Sequence, residues 1–341
     1  MRFSPLLLAL LFGVAQAAPL PLGSGTAFTS AGADCSTATT LTTDQCVVTT
    51  LTSPNGVVDG GSSAVATKVT TVKVTNQTGS QLGTVVFFTG GNGASWWEND
   101  NTSSPALYIN AALARGQKII QVKWTTSWAD GSVGPRSLAV RGATLLDMIY
   151  QDSSMHVKGK PFIVIGQSNG ASLLGYALAT YGLKNIIDLA IFTSGPPHGK
   201  LDYLCAGATL PVWAAAGPAL CTTGSIIQIG AAQYTLINIS YNSRTRCDVG
   251  SVSGGLDNEG ERDSIWRADA DLYWPSTTAI FIYGDADSLG VVPVGRWFNR
   301  RITSIVTEQI TTGGVTHGNV PDSASGGGYI NTALAAARYG H

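Results

Sequence analysis

Residues 161–170 read Pro-Phe-Ile-Val-Ile-Gly-Gln-Ser-Asn-Gly, and an apolar run follows them as far as Gly182. The β-branched and aromatic residues 162–165 are typical of a buried strand. From Ala171 onward the apolar side chains recur at helical spacing, and Gly182 stands where such a helix would end. This stretch therefore predicts a strand that turns directly into a helix.

The turn between that strand and that helix contains the only G-x-S-x-G pattern of the chain, Gly166 to Gly170. A strand that turns at once into a helix strains the middle residue and pushes its side chain outward. The two glycines leave room because the chain nearly touches itself there. With a helix N-terminus behind it to stabilise negative charge, Ser168 is a candidate nucleophile presented to a cleft.

Residues 1–17 are expected to be an export signal. Arg2 supplies the positive start, residues 5–14 form an apolar core, and Ala15-Gln16-Ala17 is a small-residue cleavage site. A membrane-spanning helix needs about 20 apolar residues, and neither this run nor any later one is long enough. We therefore expect a secreted protein with no membrane span.

Composition narrows the class of partner. A net charge of −1 and 12% charged residues argue against nucleic acid or an anionic membrane as the main partner. No Cys/His spacing suggests zinc, and the motifs call for no cofactor. Three Asn-x-Ser/Thr sites are candidate glycan acceptors in a eukaryotic secretory pathway: Asn76, Asn101 and Asn238.

The alternation of strands and helices sets the fold class. Residues 18–45 are rich in Thr, Ser, Ala and Gly and are predicted to form a loosely ordered arm before a catalytic domain at 46–341. Two strands, within 46–51 and 65–74, are expected to be antiparallel edge strands, and the spacing of the valines in the second is typical of a half-buried strand. From residue 84 to 193 strands and helices alternate, which predicts βαβ units in a parallel sheet.

The alternation is lost between residues 194 and 277. A loop of that length in a compact domain is usually a lid, so we expect a cap over the site, with a structural excursion away from it as the alternative. Three cysteines in this segment predict a disulfide without deciding the pair: Cys205, Cys221 and Cys247. Order returns with strands at 279–283 and 305–310 and a closing helix at 330–338.

A glycine cluster follows the strand at residues 84–88 and reads Thr89-Gly90-Gly91-Asn92-Gly93. A dinucleotide loop is excluded because Trp96 stands where the third glycine belongs. The cluster fits an oxyanion loop, whose free backbone N–H groups face a developing negative charge, and a plain tight turn is the alternative. Four tryptophans follow strands at this end of the sheet and are candidates for lining an apolar pocket, or for core packing: Trp96, Trp97, Trp124 and Trp128.

A serine hydroxyl needs a base, and the base needs an orienting carboxylate. His341 is terminal, His156 precedes the 162–165 strand at the wrong end, and His198 opens the 194–277 segment without a strand to hold it. His317 follows the last strand at the same end of the sheet as Ser168, so elimination favours His317 as the base.

Three acids are candidates for the orienting carboxylate. Asp285 and Asp287 both follow the strand at 279–283, and Asp202 follows the strand that ends at Phe192. Of the two neighbouring acids, the one not used is expected to be a simple turn residue.

Together these features resemble the α/β-hydrolases of the secreted esterase and lipase kind. Nucleophile, acid and base follow one another in that superfamily's order. Its acid often stands in G-x-x-D ahead of Val-Pro, and residues 284–287 precede Val292-Pro293 here, which implies Asp287 as the acid. The resemblance also implies oxyanion donors at the backbone of Asn169 and of Asn92 or the neighbouring Gly91. Thr89-Gly90-Gly91 stands where the family has His-Gly-Gly.

The resemblance implies an α/β-hydrolase fold: a mostly parallel central sheet flanked by helices, with a cap inserted before the acid-bearing strand. The implied activity is a secreted serine hydrolase that cleaves small-molecule or polymeric carboxylic esters through an acyl-enzyme. Two alternatives remain open at this point. One is a peptidase or amidase that uses the same three residues, and the other is a catalytically silent binding protein of the same fold.

The cysteine pattern makes a testable prediction. Cys35 and Cys46 should be bridged, because they lie close together in an exported arm with little core of its own. One further bridge should lie within residues 194–277, which leaves one free thiol. Peptide mapping without reduction checks both statements, and a free Cys35 and Cys46, or the absence of any free thiol, would contradict them.

Overall fold

The computed structural model describes residues 18–30, 45–52, 67–101, 104–206, 231–242, 247 and 256–337. The predicted export signal lies outside these residues, as do Cys35 and Cys221. The described strands are β1 (Ser24–Gly25), β2 (Thr29–Ser30), β3 (Gln45–Thr52), β4 (Lys68–Thr75), β5 (Gly83–Phe88), β6 (Gln117–Trp124), β7 (Phe162–Gln167), β8 (Leu189–Thr193), β9 (Tyr273–Tyr283) and β10 (Thr303–Ile310).

Helices lie between most of these strands. They are α1 (Trp97–Asp100), α2 (Pro105–Ala114), α3 (Pro135–Leu138), α4 (Val140–Gln151), α5 (Asn169–Ala179), α6 (Leu201–Ala206), α7 (Ala231–Asn238), α8 (Leu256–Asp263), α9 (Val291–Asn299) and α10 (Ala324–Ala336). Short 3₁₀ turns cover Leu183–Asn185, Pro197–Lys200, Ile239–Tyr241 and His317–Asn319. In the described ranges, no helix combines the length and the apolar character that crossing a bilayer requires.

The strands form one twisted sheet in the order β1-β3-β4-β6-β5-β7-β8-β9-β10, with β2 also paired to β3. The strands from β6 to β10 along this order are mutually parallel. The pairs β3–β4 and β4–β6 are antiparallel, as predicted for the first two strands. Neither is the edge strand that was also predicted, because β3 pairs with β1 and β2 as well and β4 lies between β3 and β6. Because β5, β7, β8, β9 and β10 run the same way, their carboxyl ends meet at one edge of the sheet.

Side chains alternate between two apolar layers on the two faces of the sheet. In β5, Val86 and Phe88 belong to the larger layer, which includes α4, α5 and α9. Val85 and Phe87 point the other way, into a smaller layer with α2 and α10. Burial on both faces explains why these strands read as nearly continuous apolar runs.

The arm prediction is wrong for residues 18–30, which dock on the sheet. Both β1 and β2 pair with β3, and the backbone N–H of Leu20 donates to the carbonyl of Thr180 at the end of α5. Leu20, Leu22 and Phe28 pack against the larger apolar layer. Three scattered apolar side chains and backbone bonds to an open sheet edge leave no compositional signal, so the sequence read as a loose arm.

Two places in the 194–277 segment, at His198 and Asp271, bond to α5. The N–H of His198 donates to Ser172 Oγ near the start of the helix, and the N–H of Asp271 donates to the carbonyl of Ala179 at its end. Residues 239–242 of the same segment bond instead to the backbone of Gly131 and Gly134 in the loop after β6. The cap over the site stays a prediction, and part of the 194–277 segment falls outside the described residues.

A disulfide within this segment is confirmed. Its pair is Cys205–Cys247, which spans 42 residues and ties the end of α6 to the residues after α7. Cys46 is also disulfide-bonded. Its predicted partner, Cys35, lies outside the described residues.

Candidate active site

The turn between β7 and α5 has the strained geometry that its sequence predicts. Ser168 has φ 50° and ψ −113°, a left-handed conformation that non-glycine residues rarely adopt. A Cβ at position 166 would lie 2.5 Å from the carbonyl oxygen of Gly170, and a Cβ at position 170 would lie 2.4 Å from that of Phe88. Only glycine fits at either position, and the turn projects Ser168 from the carboxyl end of β7.

Three side chains from distant parts of the chain meet at this edge of the sheet. The imidazole Nε2 of His317 lies 2.9 Å from Ser168 Oγ. Its Nδ1 lies 2.9 Å from Asp287 Oδ2. Ser168 follows β7, Asp287 follows β9 and His317 follows β10, so the ends of three parallel strands bring the group together.

Asp287 is held firmly on the inner side of the imidazole. The residue is fully buried, and its second oxygen, Oδ1, accepts a hydrogen bond from the N–H of Leu289. Asp202 is not part of this group, because its carboxylate forms an ion pair with Lys200 and accepts from Ser264 Oγ. Of the three candidate acids, only Asp287 contacts the imidazole.

Asp285 is not the simple turn residue that the sequence predicts. Its carboxylate accepts hydrogen bonds from the N–H groups of Gly314 and Val315 and from Thr311 Oγ1. The backbone bonds from Gly314 and Val315 hold the pKa of this carboxyl below its usual value of 3.8. Asp285 therefore fastens the loop after β10, which carries His317, to the turn that carries Asp287.

The rings of the other described histidines have different neighbours, because His156 packs against Tyr150 and Phe162 and His198 against Trp128 and Tyr176. His156 Nδ1 shares a hydrogen bond with Thr84 Oγ1 near the amino end of β5. Burial, and to a smaller extent the charge of Lys158, lowers the pKa of His156 to about 4. Burial lowers the pKa of His198 to about 3. Among the described residues, no group of three or more His, Cys, Asp or Glu side chains is arranged to hold a metal ion.

The glycine loop after β5 lies against the elbow. A Cβ at Gly90 would stand 3.3 Å from Ser168 Cβ, so this part of the loop lies close to Ser168. Asn169 Nδ2 donates to the carbonyl of Gly91 and ties the loop to the start of α5. The Asn92 side chain turns back to accept from the N–H of Ala94, which stabilises the turn.

The four tryptophans are core residues, and the prediction that they line an open pocket is wrong. None exposes more than 1% of its surface. Trp97 donates from its indole to Tyr108 in the smaller apolar layer, and Trp124 stacks on Phe88. Trp128 packs on Tyr176. Large aromatic side chains just beyond a strand end are drawn into the layers beside the sheet, because burying them there removes much apolar surface from water.

Two of the three predicted glycan acceptors are also buried. Asn101 is 1% exposed, and its Nδ2 donates to the carbonyl of Trp97. Asn238 is 8% exposed, and its Oδ1 accepts from the N–H of Cys247. Asn76 is exposed on the loop after β4. A three-residue motif carries no information on burial, so only Asn76 remains a candidate acceptor.

Comparison with solved structures identifies the architecture. A bacterial heroin esterase superposes with a TM-score of 0.50 over 87% of this chain and 85% of its own, at 12% identity. The chain has the α/β-hydrolase fold. A brefeldin A esterase, described as a bacterial homologue of human hormone-sensitive lipase, likewise gives a TM-score of 0.50 over 88% of this chain and 79% of its own, at 16% identity. No protein-family model matches the sequence, and no curated protein matches it either.

Two polar residues around the candidate site, Gln167 and Ser194, were missed in the sequence. Gln167 Nε2 donates to the carbonyl of Gly318 and Ser194 Oγ donates to that of His317, while Asp285 holds the preceding residues of the same loop. Gln167 adjoins the candidate nucleophile, Ser168, which is a signal that sequence reasoning could have used. Ser194 offers none, because its partner lies 123 residues away.

Replacing Asp285 with Asn should destabilise the protein in a pH-dependent way. Folding favours the charged carboxylate, because its pKa is lower in the folded state than the usual 3.8. The stabilisation is present above pH 3.8 and is lost as the pH falls through the lower folded-state pKa. Denaturant unfolding of both proteins between neutral pH and pH 3 should show a difference in unfolding free energy that shrinks at the acid end. A difference that stays constant with pH would contradict this role of Asp285.

Proposed function

We propose that this chain is a serine hydrolase that cleaves carboxylic esters through an acyl-enzyme. One observation carries the proposal: a single imidazole, that of His317, is within 2.9 Å of both a strained serine hydroxyl and a buried carboxylate. A general base between a nucleophile and an orienting acid is the arrangement that activates a serine hydroxyl near neutral pH. The fold, and the fact that both structural relatives are named as esterases, support the same reaction class.

In the first half of the proposed reaction, Ser168 Oγ attacks the ester carbonyl carbon as His317 Nε2 takes the hydroxyl proton. Asp287 stabilises the imidazolium and keeps Nδ1 protonated. The oxyanion of the tetrahedral intermediate is stabilised by backbone N–H groups, for which Asn169 and the Gly91–Asn92 segment are our candidates. Collapse of the intermediate breaks the ester C–O bond, and the leaving alcohol takes the proton from Nε2.

In the second half of the proposed reaction, water is the nucleophile and Ser168 Oγ is the leaving group. A water molecule attacks the acyl carbon while His317 Nε2 accepts its proton, and a second tetrahedral intermediate forms. When this intermediate collapses, Ser168 Oγ leaves and regains the proton, and the carboxylic acid is released. The enzyme returns to its starting state with no net change in any side chain.

We further propose that the protein is exported. The apolar segment and small-residue site within residues 1–17 support cleavage on export. The Cys205–Cys247 disulfide supports an oxidising compartment. In a eukaryotic host, Asn76 is the acceptor that the burial pattern favours.

Replacing Ser168 with Ala should abolish both ester turnover and labelling by a serine-directed fluorophosphonate, and the protein should still fold. Alanine removes the nucleophile and keeps the Cβ that the turn already accommodates. The wild-type protein should be tested on matched ester and amide substrates, with thermal melts of both proteins. Full labelling of the Ser168→Ala variant would move the nucleophile elsewhere, and faster cleavage of the amides would favour the peptidase alternative.

Replacing Asp287 with Asn should lower turnover by about 10⁴-fold, the size of the effect in the best-studied triad. An amide cannot offset the imidazolium charge and can hold the ring in the wrong tautomer. Asp202→Asn is the matched control, because it removes a carboxylate that pairs with Lys200 and does not contact His317. Turnover of a short ester should therefore fall for Asp287→Asn alone, and a comparable fall for Asp202→Asn would disprove the assignment.

A further inference from the structure

The turn that carries His317 is fastened through its backbone carbonyl groups. Ser194 Oγ donates to the carbonyl of His317 itself, with 2.6 Å between the oxygens. Gln167 Nε2 donates to the next carbonyl, that of Gly318, at 2.8 Å. Two consecutive carbonyls of one exposed turn thus accept from side chains that belong to the sheet.

Ser194 is built into the sheet at the cost of backbone strain. It directly follows β8, is fully buried, and has φ 52°, a conformation that serine rarely adopts. Its N–H donates to the carbonyl of Ile282 in β9, which locks the residue between two strands. A strained residue that persists in a packed site indicates a functional constraint when its side chain has a specific partner, as Ser194 has in His317.

Gln167 is held from the opposite side of the elbow. It is the last residue of β7, it is 6% exposed, and it immediately precedes Ser168. Its Oε1 lies 3.4 Å from Asn101 Nδ2, and Asn101 in turn donates to the carbonyl of Trp97. The carboxamide that holds Gly318 is therefore oriented by the residues that follow the glycine loop.

We propose that Ser194 and Gln167 are positioning residues that hold the imidazole of His317 between Ser168 and Asp287. This inference rests on the proposed ester hydrolysis. Asp287 restrains the ring through a single bond at Nδ1, and the loop before His317 is exposed at residues 312–314. Without the two carbonyl contacts, the turn can shift by a fraction of an ångström, and misplacement on that scale slows a proton transfer markedly.

The test uses three variants and two matched controls. Ser194→Ala removes the hydroxyl, and Ser194→Gly removes it while relieving the strained backbone, since glycine adopts positive φ freely. Gln167→Met keeps the side-chain length without the donor.

Gln117→Met is a control because Gln117 is buried at the far end of the sheet and donates to the carbonyl of Leu334 at 2.9 Å. Thr49→Val removes a buried hydroxyl that donates to the carbonyl of Thr26 at 2.7 Å.

Each site variant should lower kcat on a short ester by about tenfold, the upper range for one lost hydrogen bond, with KM nearly unchanged. Neither control should alter kcat. Ser194→Gly should melt at or above the wild-type temperature and still lose activity, which separates positioning from folding. Unchanged kcat in both Ser194 variants and in Gln167→Met would overturn the proposal, as would an equal loss in the controls.

A second measurement asks whether the effect passes through the imidazole. In a His317→Ala background, assayed on an activated aryl ester so that residual turnover is measurable, Ser194→Ala and Gln167→Met should cause no further loss, because no ring remains to be held. A further tenfold loss in that background would overturn the positioning role.

Fluorophosphonate labelling of the wild type distinguishes failure of the hydrolase proposal from failure of the positioning proposal. Failure to label and to cleave esters would refute the hydrolase, whereas an active wild type with unaffected Ser194 and Gln167 variants would refute the positioning role alone.

Discussion

The close approach of the chain to itself at Gly170 is the constraint on which the rest of the site depends. Helix α5 starts so near the end of β5 that a side chain at position 170 would overlap the carbonyls of Phe88 and Thr89. The glycine loop that leaves β5 must therefore pass directly beside Ser168. This close approach thus brings the candidate oxyanion loop to the strained residue Ser168, toward which the N-terminus of α5 also points.

The turn after β9 carries two acids, two residues apart, that make different contacts. Asp287 points inward, is fully buried, and contacts the imidazole, while Asp285 points toward the backbone of the following loop and accepts from Gly314 and Val315. The same turn therefore supplies the carboxylate that contacts the imidazole and anchors the segment that carries His317. Ser194 after β8 and Gln167 at the end of β7 donate hydrogen bonds to the same segment. Residues at the ends of three strands therefore hold the turn that carries the imidazole.

Much of the fold could be predicted because its signals are local. Strands β5 to β8 are read from short apolar runs and the longer helices between them from a period of 3.6 residues, and the parallel arrangement of the strands follows from the alternation. Helix α10 begins at Ala324, six residues before its predicted start at Ile330, because three consecutive glycines at 326–328 disguise its first turns. The pairing of β1 and β2 with β3 left no signal, since backbone bonds to an open edge are independent of side chains.

By itself, the sequence determined the fold class, the strained turn at Ser168 and a short set of candidate partners for Ser168, because each depends on neighbouring residues or on the order of elements. Only the tertiary structure decided which carboxylate contacts His317, that the four tryptophans are core, that Asn101 and Asn238 are buried, and that Ser194 bonds to a turn 123 residues away. Burial and contact depend on how distant segments pack, and one sequence does not encode those distances in any local pattern.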